Sequence, residues 1–189
     1  MYISNEFSRL EINLNGCLEN YRYFRSRLEA STKLLVLVKA NAYGHGAVQF
    51  ASLMEEAGAD YLAVAYPIEG IELRQAGIKS PVMVLTAGTD SFEQIVNYGL
   101  EPGIPNMYSL RVLCDVLQKR GINDFPIHIK IDTGMHRLGF MSDELPELMD
   151  FVKECRNVKI KSVYSHLAAA DATTATLYFF IKISLLIYA

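Results

Sequence analysis

One apolar run ends in residues able to do covalent chemistry: Leu34-Leu35-Val36-Leu37-Val38 is followed by Lys39-Ala40-Asn41-Ala42-Tyr43-Gly44-His45-Gly46. A lysine at the C-terminal mouth of a buried strand loses hydration. Its charged form is then disfavoured, and the free amine becomes available to attack an aldehyde. Lys39 is therefore a candidate Schiff-base nucleophile. Ala40, Ala42, Gly44 and Gly46 leave room for a ligand, and Tyr43 offers a hydroxyl to a phosphate or a polar ring substituent. The same residues also admit a plainer reading, a strand that ends in a lysine snorkelling to water. Gly44-x-Gly46 lacks a third glycine and any Gly-Lys-Ser/Thr, so it does not read as a nucleotide loop.

Two further blocks carry charged and polar groups: Ile129-Lys130-Ile131-Asp132-Thr133-Gly134-Met135-His136-Arg137-Leu138-Gly139-Phe140, and Tyr164-Ser165-His166. Val38 to Gly46 fits the pattern V-K-A-[DN]-A-Y-G-H-G of the alanine racemases throughout, and the other two blocks resemble that family's second and third signatures in order and spacing. The resemblance runs from about Arg9 to about Asp171. It implies that Lys39 holds pyridoxal 5′-phosphate (PLP) covalently and works as an acid/base on one face of the substrate. Tyr43 would bond the cofactor phosphate, and His166 would lie beside the pyridine ring. Arg137 would take the substrate carboxylate, for which a planar guanidinium is suited, and would approach the cofactor's phenolic oxygen. Lys130 aligns with a lysine that is carbamylated in several members and would then orient Arg137. Uncarbamylated, it would set two cations side by side, and Asp132 could serve the orienting purpose instead. His45 reads as loop-shaping, while His128 and His136 read as surface or structural residues. No metal site is expected.

Positioning these groups requires alternating elements. Apolar runs alternate with amphipathic stretches every 25 to 30 residues or so, the rhythm of β/α units. The expected strands are Leu34–Lys39, Tyr61–Ala65, Val82–Leu85, Glu101–Ile104, Ile127–Asp132 and Ile160–His166. The first helix is capped by Asn13 or Asn15 and turns Leu18, Tyr21, Phe24 or Arg25, and Leu28 toward a sheet. The others are Ala47–Ala57, Pro67–Ala76, Ser91–Tyr98, Met107–Arg120 and Glu144–Cys155. Such a pattern suits an open doubly wound sheet or a closed barrel. Lys39, Asp132 and His166 at the C-terminal ends of different strands favour the barrel, and the resemblance implies the same.

About six of eight β/α units are counted, so the expected fold class is α/β, a partial (β/α)8 TIM-type barrel with the family's C-terminal β-domain absent. The expected organisation is an N-terminal extension at 1–10, the racemase-like barrel portion at 11–171 and an atypical apolar tail at 172–189. The tail is too short and too interrupted by Lys182 for a membrane span. Racemisation needs a second acid/base on the opposite face. In the family a tyrosine from the C-terminal domain of the other subunit of a homodimer supplies it, and no residue here matches it. The expectation is an incomplete chain, inactive as it stands.

A formal net charge of −3 on 189 residues with mixed signs gives no electrostatic support for nucleic acid or acidic membranes. Cys17, Cys114 and Cys155 are odd in number and far apart, arguing against a disulfide framework and for a reducing cytoplasm. The first ten residues lack the apolar core of a signal peptide. The family implies an isomerase that supplies D-alanine for peptidoglycan from a small amino-acid substrate. The alternative is a stand-alone PLP-binding barrel of the PLP-homeostasis type, which lacks the run from Lys39 to Gly46.

Overall fold

The computed structural model describes residues 10–168; the tail of 172–189 and the extension before residue 10 lie outside them. The chain forms two compact units. One comprises the residues up to Thr86 together with Gln94–Leu100, the other Ala87–Glu93 together with the residues from Glu101 onward.

In the first unit, α1 (Leu14–Ser26) leads into β1 (Leu35–Leu37), α2 (Ala47–Glu56), β2 (Tyr61–Val64), α3 (Pro67–Gln75) and β3 (Val82–Val84). All strand pairs are parallel, with Val36 opposite Leu62 and Ala63 opposite Met83. β2 lies between two neighbours, and Leu62, Ala63 and Val64 have no exposed surface. That explains its unbroken apolar sequence, since a strand covered on both faces needs no alternation. On α2, Ala47, Ala51 and Met54 recur at helical spacing and are all buried. Pro67 opens α3 with its φ already set, and Gly77 closes it at φ 91°, a conformation a side chain resists.

The second unit continues the rhythm. A 3-10 turn at Thr89–Ser91 leads into α4 (Phe92–Asn97), whose residues from Gln94 onward belong to the first unit; then come β4 (Glu101–Ile104), α5 (Met107–Lys119), β5 (Phe125–Lys130), α6 (Leu145–Glu154) and β6 (Val158–Tyr164). Here too pairing is parallel and in chain order, β4 to β5 to β6. Asn106 caps α5 by accepting from Ser109 N at 2.9 Å, and Leu110, Leu113, Cys114 and Leu117 form its buried stripe. Neither unit reverses strand order, as a doubly wound sheet must at its switch point. Among the described residues, six parallel strands in sequential order, alternating with helices, are the partial TIM-type barrel expected from the sequence.

Several boundaries move. β5 begins at Phe125 and stops at Lys130, and β6 runs from Val158 to Tyr164, so Asp132 and His166 each follow their strand by two residues, as Lys39 follows β1. Pro126 hides the true start of β5, because proline cannot donate to a ladder. Phe125 N donates to Asn157 O on the β6 side, so the proline's missing donor faces the other way. There, pairing with β4 starts only at Gly103 and His128. The buried first strand and the buried stripe of α1 also need correction. Asn13, not Asn15, caps α1, and of its stripe only Tyr21 is buried, with Phe24 and Leu28 exposed. Leu35 and Leu37 are exposed as well, because β1 pairs with β2 alone among the described residues. A groove of about 440 Å³ runs between α1 and β1.

Glu55 ties α2 to the turn before β3. Its Oε1 accepts from Lys79 N at 2.8 Å, Ser80 N at 2.5 Å and Ser80 Oγ at 2.8 Å. Burial pushes its carboxyl up, but the Ser80 and Lys79 bonds and the Arg74 guanidinium outweigh this and hold it below its ordinary range. Glu55→Ala is expected to destabilise the chain by about 2 kcal/mol through unmade charge-assisted bonds, read as a shift in the urea midpoint. A depressed carboxyl contributes stability above its unfolded pKa that is lost as pH falls through the folded value. The wild-type advantage over the alanine variant should therefore shrink below about pH 4.5.

Candidate active site

Lys39 stands two residues beyond β1, half-buried, with Nζ 5.9 Å from the centre of the Tyr43 ring. Among the described residues no carboxylate lies within ion-pair distance of it. The backbone that follows is unusual. Ala40, Asn41, Ala42 and Tyr43 all sit at φ 50–54°, a left-handed turn made entirely of residues with a Cβ. Each L-residue in that conformation costs roughly 1–2 kcal/mol, so four in succession store roughly 4–8 kcal/mol. Strain of this kind persists only where the surroundings over-determine it.

The determinants are identifiable. Ala42 N donates to Val38 O at 2.9 Å, and Gly46 N to Asn41 O at 3.0 Å. Asn41 Oδ1 accepts from Ala47 N at 2.7 Å, joining the turn to the start of α2. His45 Nδ1 lies 2.7 Å from Ala42 O, so that nitrogen carries the proton. From the neighbouring β/α unit, Glu69 Oε1 accepts from Ala40 N at 2.6 Å. The loop is thus held by side chains of its own and by one carboxylate from α3. The donor set suits an aldehyde cofactor bearing a phosphate: an amine with no ion-pair partner among the described residues, small flanking residues and an exposed tyrosine hydroxyl one turn away.

Lys130, Arg137 and His166 come together in the second unit, lining one small cleft with Asp132, Ser165 and Leu138. Lys130, the last residue of β5, is buried, with Nζ 4.8 Å over the Tyr164 ring. Burial and the nearby Arg137 guanidinium lower its pKa, and Asp132 opposes them. Arg137 and His166 are exposed. Asp132 Oδ1 accepts from Gly134 N at 2.8 Å and His136 N at 3.1 Å, and these bonds, with the His136 ring, hold its carboxyl below the usual range. It shapes the loop that carries Arg137. Phe140 then returns to the end of β5, its N donating to Lys130 O at 2.8 Å and its O accepting from Asp132 N at 3.0 Å. His136 is exposed against Asp132, whereas His128 is buried between Glu101 Oε2 at 2.9 Å and Ser162 Oγ at 2.7 Å.

Sequence reasoning missed three participants. Glu69 had only its place three residues into the helix after Tyr66, a capping-box signal. Gly139 lay inside a recognised motif with no stated reason for a glycine. Ser165 fixes the segment before His166, donating to Ile131 O at 2.8 Å with its Oγ 2.5 Å from Thr133 Oγ1. Burial raises the Tyr164 phenol to about 12, and among the described residues its hydroxyl has no hydrogen-bond partner. Cys114 and Cys155, far apart in sequence, place free thiols with Sγ atoms 3.0 Å apart.

Residues 12–183 match the family described as alanine racemase, N-terminal domain, a match that continues past Asp171. Alanine racemase from Synechocystis is 39% identical over 171 residues, covering 89% of this chain and 46% of the relative. Among solved structures, alanine racemase from E. faecalis superimposes with a TM-score of 0.82 at 30% identity, covering 88% of this chain and 45% of that one. The alanine racemase of Clostridium difficile 630 in complex with cycloserine gives 0.78 at 32% identity, covering 83% and 44%. The chain spans somewhat less than half the length of these relatives, and over that span it belongs to the alanine racemase N-terminal domain family.

Proposed function

We propose that this chain supplies the cofactor-holding barrel portion of a PLP-dependent alanine racemase. The enzyme would be cytoplasmic and homodimeric, interconverting L- and D-alanine and so providing D-alanine for peptidoglycan. The observation that carries the reading is Lys39, an amine without an ion-pair partner among the described residues, on a strained turn fixed from two sides. PLP, when bound, supplies the electron sink that loosens the substrate α-proton. Lys39 would anchor that group covalently and, as a free amine, would take or return the α-proton on one face. Tyr43 would donate its hydroxyl to the phosphate, and His166 would orient the neighbouring groups that hold the cofactor. Arg137 grips the substrate carboxylate with two parallel bonds. Return of the proton from the other face requires a second acid/base, which we assign to the partner subunit's C-terminal domain.

Lys130 deepens the Arg137 assignment. Its lowered pKa leaves more neutral amine, and a neutral amine can add carbon dioxide with release of one proton. The resulting carbamate replaces an awkward cation beside Arg137 with an anion. In a chain joined to the C-terminal half of a relative, Lys130→Ala should lose activity that acetate or another small carboxylate partly restores. Loss without rescue would remove the carbamate from the scheme. The function itself is tested on the same joined protein. PLP-dependent conversion of L- to D-alanine is expected, and a folded, dimeric, PLP-loaded protein without it would refute the proposal.

A further inference from the structure

Glu69 receives more donors than a helix cap requires. A capping-box glutamate at the third helical position needs one partner, the N–H of the capping residue, and Glu69 Oε2 has it in Tyr66 N at 2.9 Å. The same oxygen also accepts from Ala65 N at 2.7 Å. The other oxygen leaves the helix altogether and reaches Ala40 N at 2.6 Å, 29 residues back in the chain. One half-buried carboxylate therefore joins the segment after β2, the first turn of α3 and the peptide that follows Lys39. That peptide begins the left-handed run, and its N–H donates to Glu69 and takes no part in the backbone bonds that hold the turn internally. Anchoring it fixes the torsion about the Lys39 Cα–C bond, and with it the direction in which the lysine side chain leaves the backbone.

We infer that Glu69 is a positioning residue for Lys39: its Oε1 bond to Ala40 N sets the geometry of the amine, while its Oε2 bonds cap α3. The inference deepens the assignment of Lys39 as cofactor anchor and rests on it for its functional consequence. The two oxygens divide the roles, and glutamine separates them. Glu69→Gln keeps one oxygen acceptor, which satisfies most bonds by facing Ala65 and Tyr66. Its NH2 group then faces the Ala40 N–H, donor against donor, and the link to the lysine turn is lost while the cap survives.

The experiment compares the full chain with its Glu69→Gln and Glu69→Ala variants by three readouts: thermal midpoint, amide hydrogen exchange at Ala40, and the rate at which added PLP becomes fixed to Lys39 by borohydride. For glutamine we expect a midpoint close to wild type, loss of Ala40 protection, and attachment slowed by about tenfold, the usual weight of one hydrogen bond to a charged group. Alanine should show both defects and a lower midpoint. If both variants lower the midpoint yet leave Ala40 exchange and the attachment rate at wild-type values, Glu69 is a cap and nothing more, and the inference fails. Should the wild-type chain take up no PLP at Lys39, the proposed function fails on its own. Ala40 exchange in the glutamine variant still decides whether Glu69 holds the turn.

Discussion

Lys39→Ala is expected to abolish covalent capture of PLP. In the wild-type chain, borohydride should fix the cofactor to a single peptide containing Lys39, and in the variant that label should vanish from every peptide of folded protein. Among the described residues of the first unit no other amine is placed to substitute, since Lys33 precedes β1 and Lys79 precedes β3, at the opposite ends of their strands. Stability should change little, by about 0.5–1 kcal/mol, because the half-buried side chain makes one cation–π contact and no ion pair among the described residues. The two readouts separate chemistry from folding. Complete loss of label at nearly constant stability identifies the anchor, and label persisting at another lysine would dismiss it.

Gly139→Ala should give the largest loss of stability among single substitutions near the Arg137 loop. Gly139 has φ 129°, and a Cβ there would lie 2.5 Å from Asp132 N and 2.6 Å from Ile131 C. These are backbone atoms at the end of β5, held by the Phe140 bonds, so no rotamer change relieves the clash. A cost of about 3 kcal/mol or more is expected, measured by urea unfolding. Gly134→Ala is the control. Its φ is 120°, but nothing lies within 4 Å of the added carbon, and the cost should be nearer 1–2 kcal/mol, the backbone penalty alone, or about that. Equal destabilisation by the two would show that the close approach at Gly139 contributes nothing. In the joined enzyme the Gly139 variant should also raise KM for alanine, since the loop it disrupts presents Arg137.

The sequence carried the architecture because strands such as β2 and β3 are short apolar runs between helices with recognisable caps. Boundaries slipped where local chemistry conflicted with the strand rule, as at Pro126, tolerated only because its missing donor faces an unpaired side. Lys39, Tyr43, Lys130, Arg137 and His166 were legible as chemistry-bearing types within motifs. Their supports were not. Glu69 acts across 29 residues, and the Cys114–Cys155 contact spans 41; periodicity along the chain cannot register such pairings. The left-handed turn was also hidden, since Ala40-Asn41-Ala42 has no glycine to announce positive φ. Exposure of Leu35 and Phe24 likewise depends on what covers them, which a pattern of apolar residues does not state.

The separation between Ala40 and Glu69 has a temporal meaning. During synthesis the segment around Lys39 leaves the ribosome well before α3 exists, and at 5–20 residues per second or so the delay amounts to a few seconds. Through that interval the strained turn lacks the carboxylate that anchors its first peptide, and ordinary right-handed or extended conformations are available to it at lower cost. The lysine therefore acquires its working geometry only as the second β/α unit docks on the first. Cofactor capture by nascent chains should accordingly begin after α3 has emerged, which makes arrival of Glu69 a clock for the maturation of the site.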